Sequence, residues 1–200
     1  MGARGLIAAG EGNLSVRLPG GRLLVTPSGV RKDELEPDDL LIVGLDEASG
    51  SPVDRRAGRR PTSDLAIHRA IHQARNDVSA VVHAHPPAAL ALTLGGERAD
   101  PAALPETALL LPRLPFVPFG APGSDDLARR IAAALSEAPP PGPTAALLER
   151  HGAVAVGSGD PEAALGQALD RLELVEVLCR ATRDALLVQA ARAVVEGSGR

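Results

Sequence analysis

Short alternating runs of apolar and polar residues, broken by Gly and Pro, fill the first quarter of the chain. Val16-Arg17-Leu18 and Arg22-Leu23-Leu24-Val25-Thr26 flank Pro19-Gly20-Gly21 and predict a β-hairpin. Gly10-Glu11-Gly12-Asn13-Leu14-Ser15 reads as a tight turn, either an ordinary one or a nest of N–H groups suited to phosphate. Thr26-Pro27-Ser28-Gly29 reads as a second polar turn. Lys32 to Asp38 predicts a short helical turn, and Asp39 to Asp46, with its continuous apolar run, a buried strand. Glu47 to Pro61 is rich in Gly, Arg, Ser and Pro and predicts a loop or exposed hairpin.

The period then changes. Pro61-Thr62-Ser63-Asp64 opens a helix that Thr62 or Ser63 can cap, with Leu65, Ile67, Ala70, Ile71 and Ala74 as its apolar face. Ala80 to Pro86 predicts a strand and Pro87 to Leu94 a short helix. Gly95 to Pro105 is loop-like, the stretch to Leu111 is a helical or extended turn, and Leu114 to Phe119 is extended. Ser124-Asp125-Asp126 caps a helix running to about Leu135. Ala145 to Arg150 and Ala153 to Val156 predict an antiparallel pair joined at His151-Gly152. Asp160-Pro161-Glu162 starts a helix that runs past Arg183, and residues from Gly197 on are expected to fray. These elements make one α/β domain over residues 1–200, a central, mainly antiparallel sheet with helices on both faces. No internal repeat is present.

Composition narrows the function classes. A net charge of −4 and only two aromatic residues, Phe116 and Phe119, argue against nucleic acid and anionic membranes as partners. The single cysteine, Cys179, falls in a helical pattern and is expected to be a small buried hydrophobe. No apolar run is long enough to span a bilayer and no signal-peptide pattern is visible, so a soluble cytoplasmic protein is expected.

Candidate chemistry centres on His83-Ala84-His85. Side chains alternate along a strand, so both imidazoles share one face, about 6–7 Å apart, and can converge on a metal ion. The alternative is two half-exposed histidines at a strand end. His151 at a second strand end and Asp64 at the helix start complete a ligand set of three histidines and a carboxylate, suited to Zn²⁺ or another divalent ion. If Asp64 can leave the ion, a position opens for substrate. Thr62 and Ser63 sit where a helix N-terminus attracts anions. His68 and His72, one turn apart, are assigned to the helix surface or to a supporting role.

Together these motifs resemble the class II sugar-phosphate aldolases of the aldolase/adducin superfamily, and among them most resemble the L-fuculose-1-phosphate aldolases. The likeness runs from Gly12-Asn13-Leu14-Ser15 through Thr26-Pro27-Ser28-Gly29, Pro61-Thr62-Ser63-Asp64, His83-Ala84-His85-Pro86 and His151-Gly152 to the C-terminal helix. The resemblance implies one zinc ion per subunit held by His83, His85 and His151. It places Asp64 where the family has a glutamate acting as fourth ligand and acid/base. It implies a sugar-phosphate substrate whose phosphate rests on Asn13, Ser28, Gly29, Thr62 and Ser63, and a homotetramer with sites near subunit interfaces.

The implied reaction is cleavage of a ketose 1-phosphate to dihydroxyacetone phosphate and an aldehyde, with zinc stabilising the developing enediolate. The only lysine, Lys32, is a poor Schiff-base candidate and is expected to lie away from the motifs, leaving the phosphate little cationic help. Three departures stand out. Asp64 is one methylene shorter than glutamate, no tyrosine is present to donate a proton, with Phe119 where one is expected, and the N-terminus is shorter. The alternatives are a methylthioribulose-phosphate-type dehydratase or a pentulose-phosphate 4-epimerase. An adducin-like binding module is the non-enzymatic reading, and that branch lacks the histidines present here.

Overall fold

The computed structural model describes residues 1–46 and 58–197. Seven strands form one sheet in the order β3-β2-β1-β4-β7-β6-β5. They are β1 (Asn13–Leu18), β2 (Arg22–Val25), β3 (Leu41–Gly44), β4 (Val78–Ala84), β5 (Phe116–Val117), β6 (Ala145–Leu148) and β7 (Gly152–Ser158). Every neighbouring pair is antiparallel except β5 and β6. The helices are α1 (Leu65–Ala74), α2 (Pro87–Leu94), α3 (Pro105–Leu110), α4 (Asp125–Leu135) and α5 (Pro161–Gly197). The expected mainly antiparallel α/β architecture is therefore the observed one.

The pleat divides the core in two. Val82, Ala84, Leu147, Ala153 and Ala155 pack on one face against α2 and α5, through residues such as Leu92, Leu172 and Val175. Val81, Leu148, Val154 and Val156 pack on the other against α1 and α4, through Ile67, Ile71, Leu127 and Ile131. Alternation along β4 puts His83 on the α1 face with Val81. With almost no aromatics, closeness comes from small residues. A Cβ on Gly157 would lie 1.8 Å from the Ala164 carbonyl oxygen, so α5 sits directly on β7.

Several boundaries differ from expectation. Asn13–Ser15 is strand, not turn. Asn13, Ser15 and Arg17 alternate with Leu14, Val16 and Leu18, and pairing with β4 holds Asn13 opposite His83 and Ser15 opposite Val81. The turn is confined to the residues before Asn13. Helix α1 has Asp64 as its N-cap residue, and the Thr62 hydroxyl accepts from the Asp64 N–H, so neither Thr62 nor Ser63 is the cap. The segment 105–110 is helical. Ser124 caps α4 by accepting from Leu127 N–H. Cys179 is buried, as expected. Most of the loop expected over Glu47 to Pro61 lies outside the described residues, as do residues 198–200. No helix among the described residues is long and apolar enough to cross a membrane.

Candidate metal centre and anion cavity

Strand β4 delivers His83 and, one step past its end, His85, while the β6–β7 turn delivers His151. That turn is tight: Arg150 has φ 56° and Gly152 φ 95°, and a Cβ on Gly152 would lie 2.3 Å from the Ala84 carbonyl oxygen. Only glycine lets β7 close on the end of β4 there. The three rings meet, with centroid separations of 4.9 Å (His83–His85), 4.8 Å (His83–His151) and 5.3 Å (His85–His151). One nitrogen from each lies within 4.8 Å of the others.

These donors fit a divalent ion. His83 Nδ1 donates to the Ala153 carbonyl across 2.9 Å, which turns the Nε2 lone pair toward the cluster. His83 Nε2 and His85 Nε2 are 3.1 Å apart, against about 3.3 Å for the edge of a tetrahedron with 2.0–2.1 Å bonds. His85 Nδ1 faces Glu11 Oε1 at 3.5 Å. His151 Nδ1 is buried with no hydrogen-bond partner among the described residues. Burial holds His83 at a pKa of about 3 and lowers that of His151, so both rings are neutral, the form that binds metal.

Asp64 stands beside this cluster, its Oδ2 3.9 Å from His83 Nε2 and 2.8 Å from Asn13 Nδ2. Burial alone would raise its pKa. As Asp64 and His83 titrate together, attraction to protonated His83 and the hydrogen bond from Asn13 outweigh burial and hold Asp64 below the usual carboxylate range.

A cavity of about 110 Å³ adjoins Asp64 and His85. Asn13, Ser28, Gly29, Thr62 and Ser63 all line it. The structure assembles them by zipping two loops together: Ser28 N–H donates to the Arg60 carbonyl and Thr62 N–H to the Thr26 carbonyl. The N-terminus of α1 opens nearby, a favourable place for an anion.

Lys32 also lines this cavity, which corrects the expectation that it lies away from the motifs. Its ammonium donates to the carbonyls of Gly10 (2.8 Å) and Val30 (2.6 Å), tying together the two turns that flank the cavity. Sequence spacing carried no sign of this, since the two carbonyls are backbone groups. Phe119 is half-exposed, with the Arg150 guanidinium 4.3 Å over its ring, and Glu149 accepts from its N–H.

For His68 and His72 the structure decides between the two readings. They are not on the helix surface: both are fully buried, and Ser15 bridges them. An i, i+4 polar pair reads the same whether it meets water or a buried hydroxyl. The alternating polar residues of β1 were the one available signal.

The family model for the Class II Aldolase and Adducin N-terminal domain matches residues 1–182. The methylthioribulose-1-phosphate dehydratase of Acidiphilium cryptum is 35% identical over 191 residues, which cover 89% of this chain and 82% of that protein. The 3-oxo-tetronate 4-phosphate decarboxylase of Cupriavidus necator is 31% identical over 199 residues, covering 98% and 85%. Among solved structures, the L-fuculose-1-phosphate aldolase of Thermus thermophilus matches with a TM-score of 0.79 at 34% identity, covering 94% of this chain and 90% of that one.

Proposed function

The chain belongs to the class II aldolase and adducin N-terminal domain family, and from that premise we propose that it is a zinc-dependent lyase that cleaves a ketose 1-phosphate to dihydroxyacetone phosphate and an aldehyde. The observation that carries this reading is the adjacency of the three-histidine cluster, the Asp64 carboxylate and a polar cavity of phosphate size. His83, His85 and His151 would hold the ion. When bound, it would supply Lewis-acid stabilisation of negative charge developing on substrate oxygens. Ser28, Thr62 and Ser63 hydroxyls, the Gly29 backbone and the α1 N-terminus would take the phosphate, with Asn13 at the boundary and Lys32 close by. Asp64, ionised and largely shielded from water, would move a proton at a substrate carbon beside the cluster.

A second reading has a specific observation behind it. The dehydratase relative acts, by its name, on methylthioribulose 1-phosphate, and dehydration would use the same carboxylate and phosphate contacts, with one proton taken from carbon and one given to the departing hydroxyl.

The proposal extends to a homotetramer. Leu109, Leu110, Leu187 and Val195 are exposed on α3 and α5 and would be covered in such an assembly. Light scattering on the purified protein measures its mass, and a monomer would end that part of the proposal.

The deciding experiment follows dihydroxyacetone phosphate release from L-fuculose 1-phosphate, with and without a chelator, beside a panel that includes methylthioribulose 1-phosphate and pentulose phosphates. Chelator-sensitive release supports the aldolase. Consumption of methylthioribulose 1-phosphate without cleavage moves the function to the dehydratase branch. No metal-dependent reaction with any phosphate refutes both.

A further inference from the structure

All five histidines of the chain lie in one connected region, three in the ring cluster and two beneath it. His68 and His72 are fully buried, yet packing α1 against the sheet is already accomplished by Ile67 and Ile71. The two imidazoles are instead held in a chain of short hydrogen bonds. His72 Nε2 is 2.9 Å from Ser15 Oγ, and Ser15 Oγ is 2.7 Å from His68 Nδ1. His68 Nε2 is 2.6 Å from Asn13 Oδ1, and Asn13 Nδ2 is 2.8 Å from Asp64 Oδ2.

The direction of every bond follows from the carboxylate end. An ionised carboxylate only accepts, so Asn13 turns its NH₂ toward Asp64 and its carbonyl oxygen toward His68. That oxygen also only accepts, so His68 carries its proton on Nε2 and Nδ1 is left as an acceptor. Nδ1 accepts a hydrogen bond from the Ser15 hydroxyl, and the Ser15 oxygen accepts from His72 Nε2–H. All four bonds point toward Asp64. The arrangement needs neutral rings, and burial supplies them: His68 is pushed down to about 3 and His72 to about 4. Aligned bonds in a dry interior polarise one another, and an unpaired member would cost the desolvation of a buried polar group.

We propose that His72, Ser15 and His68 are positioning residues of the site: through Asn13 they set the direction of the Asp64 carboxylate and hold it beside the histidine cluster. Asp64 has only one methylene of reach, so its position is set by what grips it from behind. Asn13 is the grip, and its second Nδ2 hydrogen remains available to the cavity it lines.

The test has two arms. The first needs no substrate. ¹⁵N NMR of the imidazoles in the full chain, with signals assigned by H68Q and H72Q, reads the tautomers directly. His68 and His72 are each expected as a single Nε2–H tautomer at neutral pH. Asp64→Ala, two links away, is expected to leave His68 as a mixture. An Nδ1–H tautomer at His68, or one that ignores Asp64→Ala, overturns the proposal.

The second arm rests on the functional reading above and compares H68Q with H68N at matched metal content. Glutamine keeps a donor toward Asn13, whereas asparagine reproduces only the Nδ1 side. H68N is expected to lose about 10–100-fold in kcat with little change in KM, and H68Q to recover most of it. A purely structural role would lower the melting temperatures of both and leave their kcat values equal, and equal kcat values overturn the proposal. If the wild type turns over no phosphate, the functional reading fails while the tautomer arm still decides the positioning chain.

Discussion

Asn13 donates to Asp64 across 2.8 Å and so ties strand β1 to the start of helix α1, 51 residues further along the chain. The same Asn13 lies opposite His83 in the sheet register. One side chain therefore sets the spacing between the carboxylate and the ring cluster. Asp64→Asn removes the charge and keeps the shape. It is expected to retain bound metal through the three histidines and to lose about 10²–10⁴ in kcat on whichever phosphate the wild type consumes. Unchanged turnover would remove Asp64 from the chemistry.

His83 is the fully buried member of the cluster, locked by its bond to the Ala153 carbonyl. His83→Ala is expected to abolish both stoichiometric metal and activity. Elemental analysis checks this, and activity retained with metal still bound would place the ion elsewhere.

His68 and His72, buried beneath the ring cluster, add to the pH dependence of stability that His83 and His151 also carry. The folded pKa values, about 3 for His68 and about 4 for His72, lie below the ordinary 6.5. The unfolded chain therefore binds more protons between those values. Stability is fully present above pH 6.5 and falls as pH drops through the window, by roughly 1.4 kcal/mol per pH unit for each histidine. Urea unfolding at pH 7.5 and 5.0 measures this. H72Q is expected to flatten the slope, and a wild-type slope already flat over that range would contradict the buried neutral rings.

Glu176 on α5 accepts from the N–H groups of Ala88 (2.9 Å) and Ala89 (3.3 Å) at the start of α2, which begins two residues after His85. Glu176→Ala leaves those buried donors unpaired and is expected to cost about 1–3 kcal/mol of unfolding free energy, with weaker metal retention. Metal kept as tightly as in the wild type would show that α2 does not hold His85 in place.

Lys32 braces the Gly10 and Val30 carbonyls at the edge of the cavity beside Asp64. Lys32→Met is expected to raise KM for a phosphorylated substrate about tenfold, about 1.4 kcal/mol of uniform binding, with kcat little changed. A fall in kcat at constant KM would instead tie Lys32 to the reaction itself.

The local pattern of the chain by itself determined most of the elements and the shared face of His83 and His85, while His151 joins them only because β7 is laid beside β4. Apolar alternation with Pro-Gly-Gly marked the β1–β2 hairpin, the Ser124 cap and the apolar period marked α4, and Pro161 marked the start of α5. His83 and His85 share a face because strand geometry leaves no other choice. Tertiary structure decided everything that depends on which residues meet across the sheet. Register put Asn13 opposite His83, the Ser28–Arg60 and Thr62–Thr26 bonds brought two distant turns into one cavity, and Lys32 reached it through backbone carbonyls. The helical period shows that His68 and His72 share a face. Only the approach of β1 shows that this face is dry and that Ser15 is there to bridge them. The physical reason is the range of the forces involved. Burial and backbone preference are written residue by residue, whereas a hydrogen-bond partner exists only once another strand has been laid alongside.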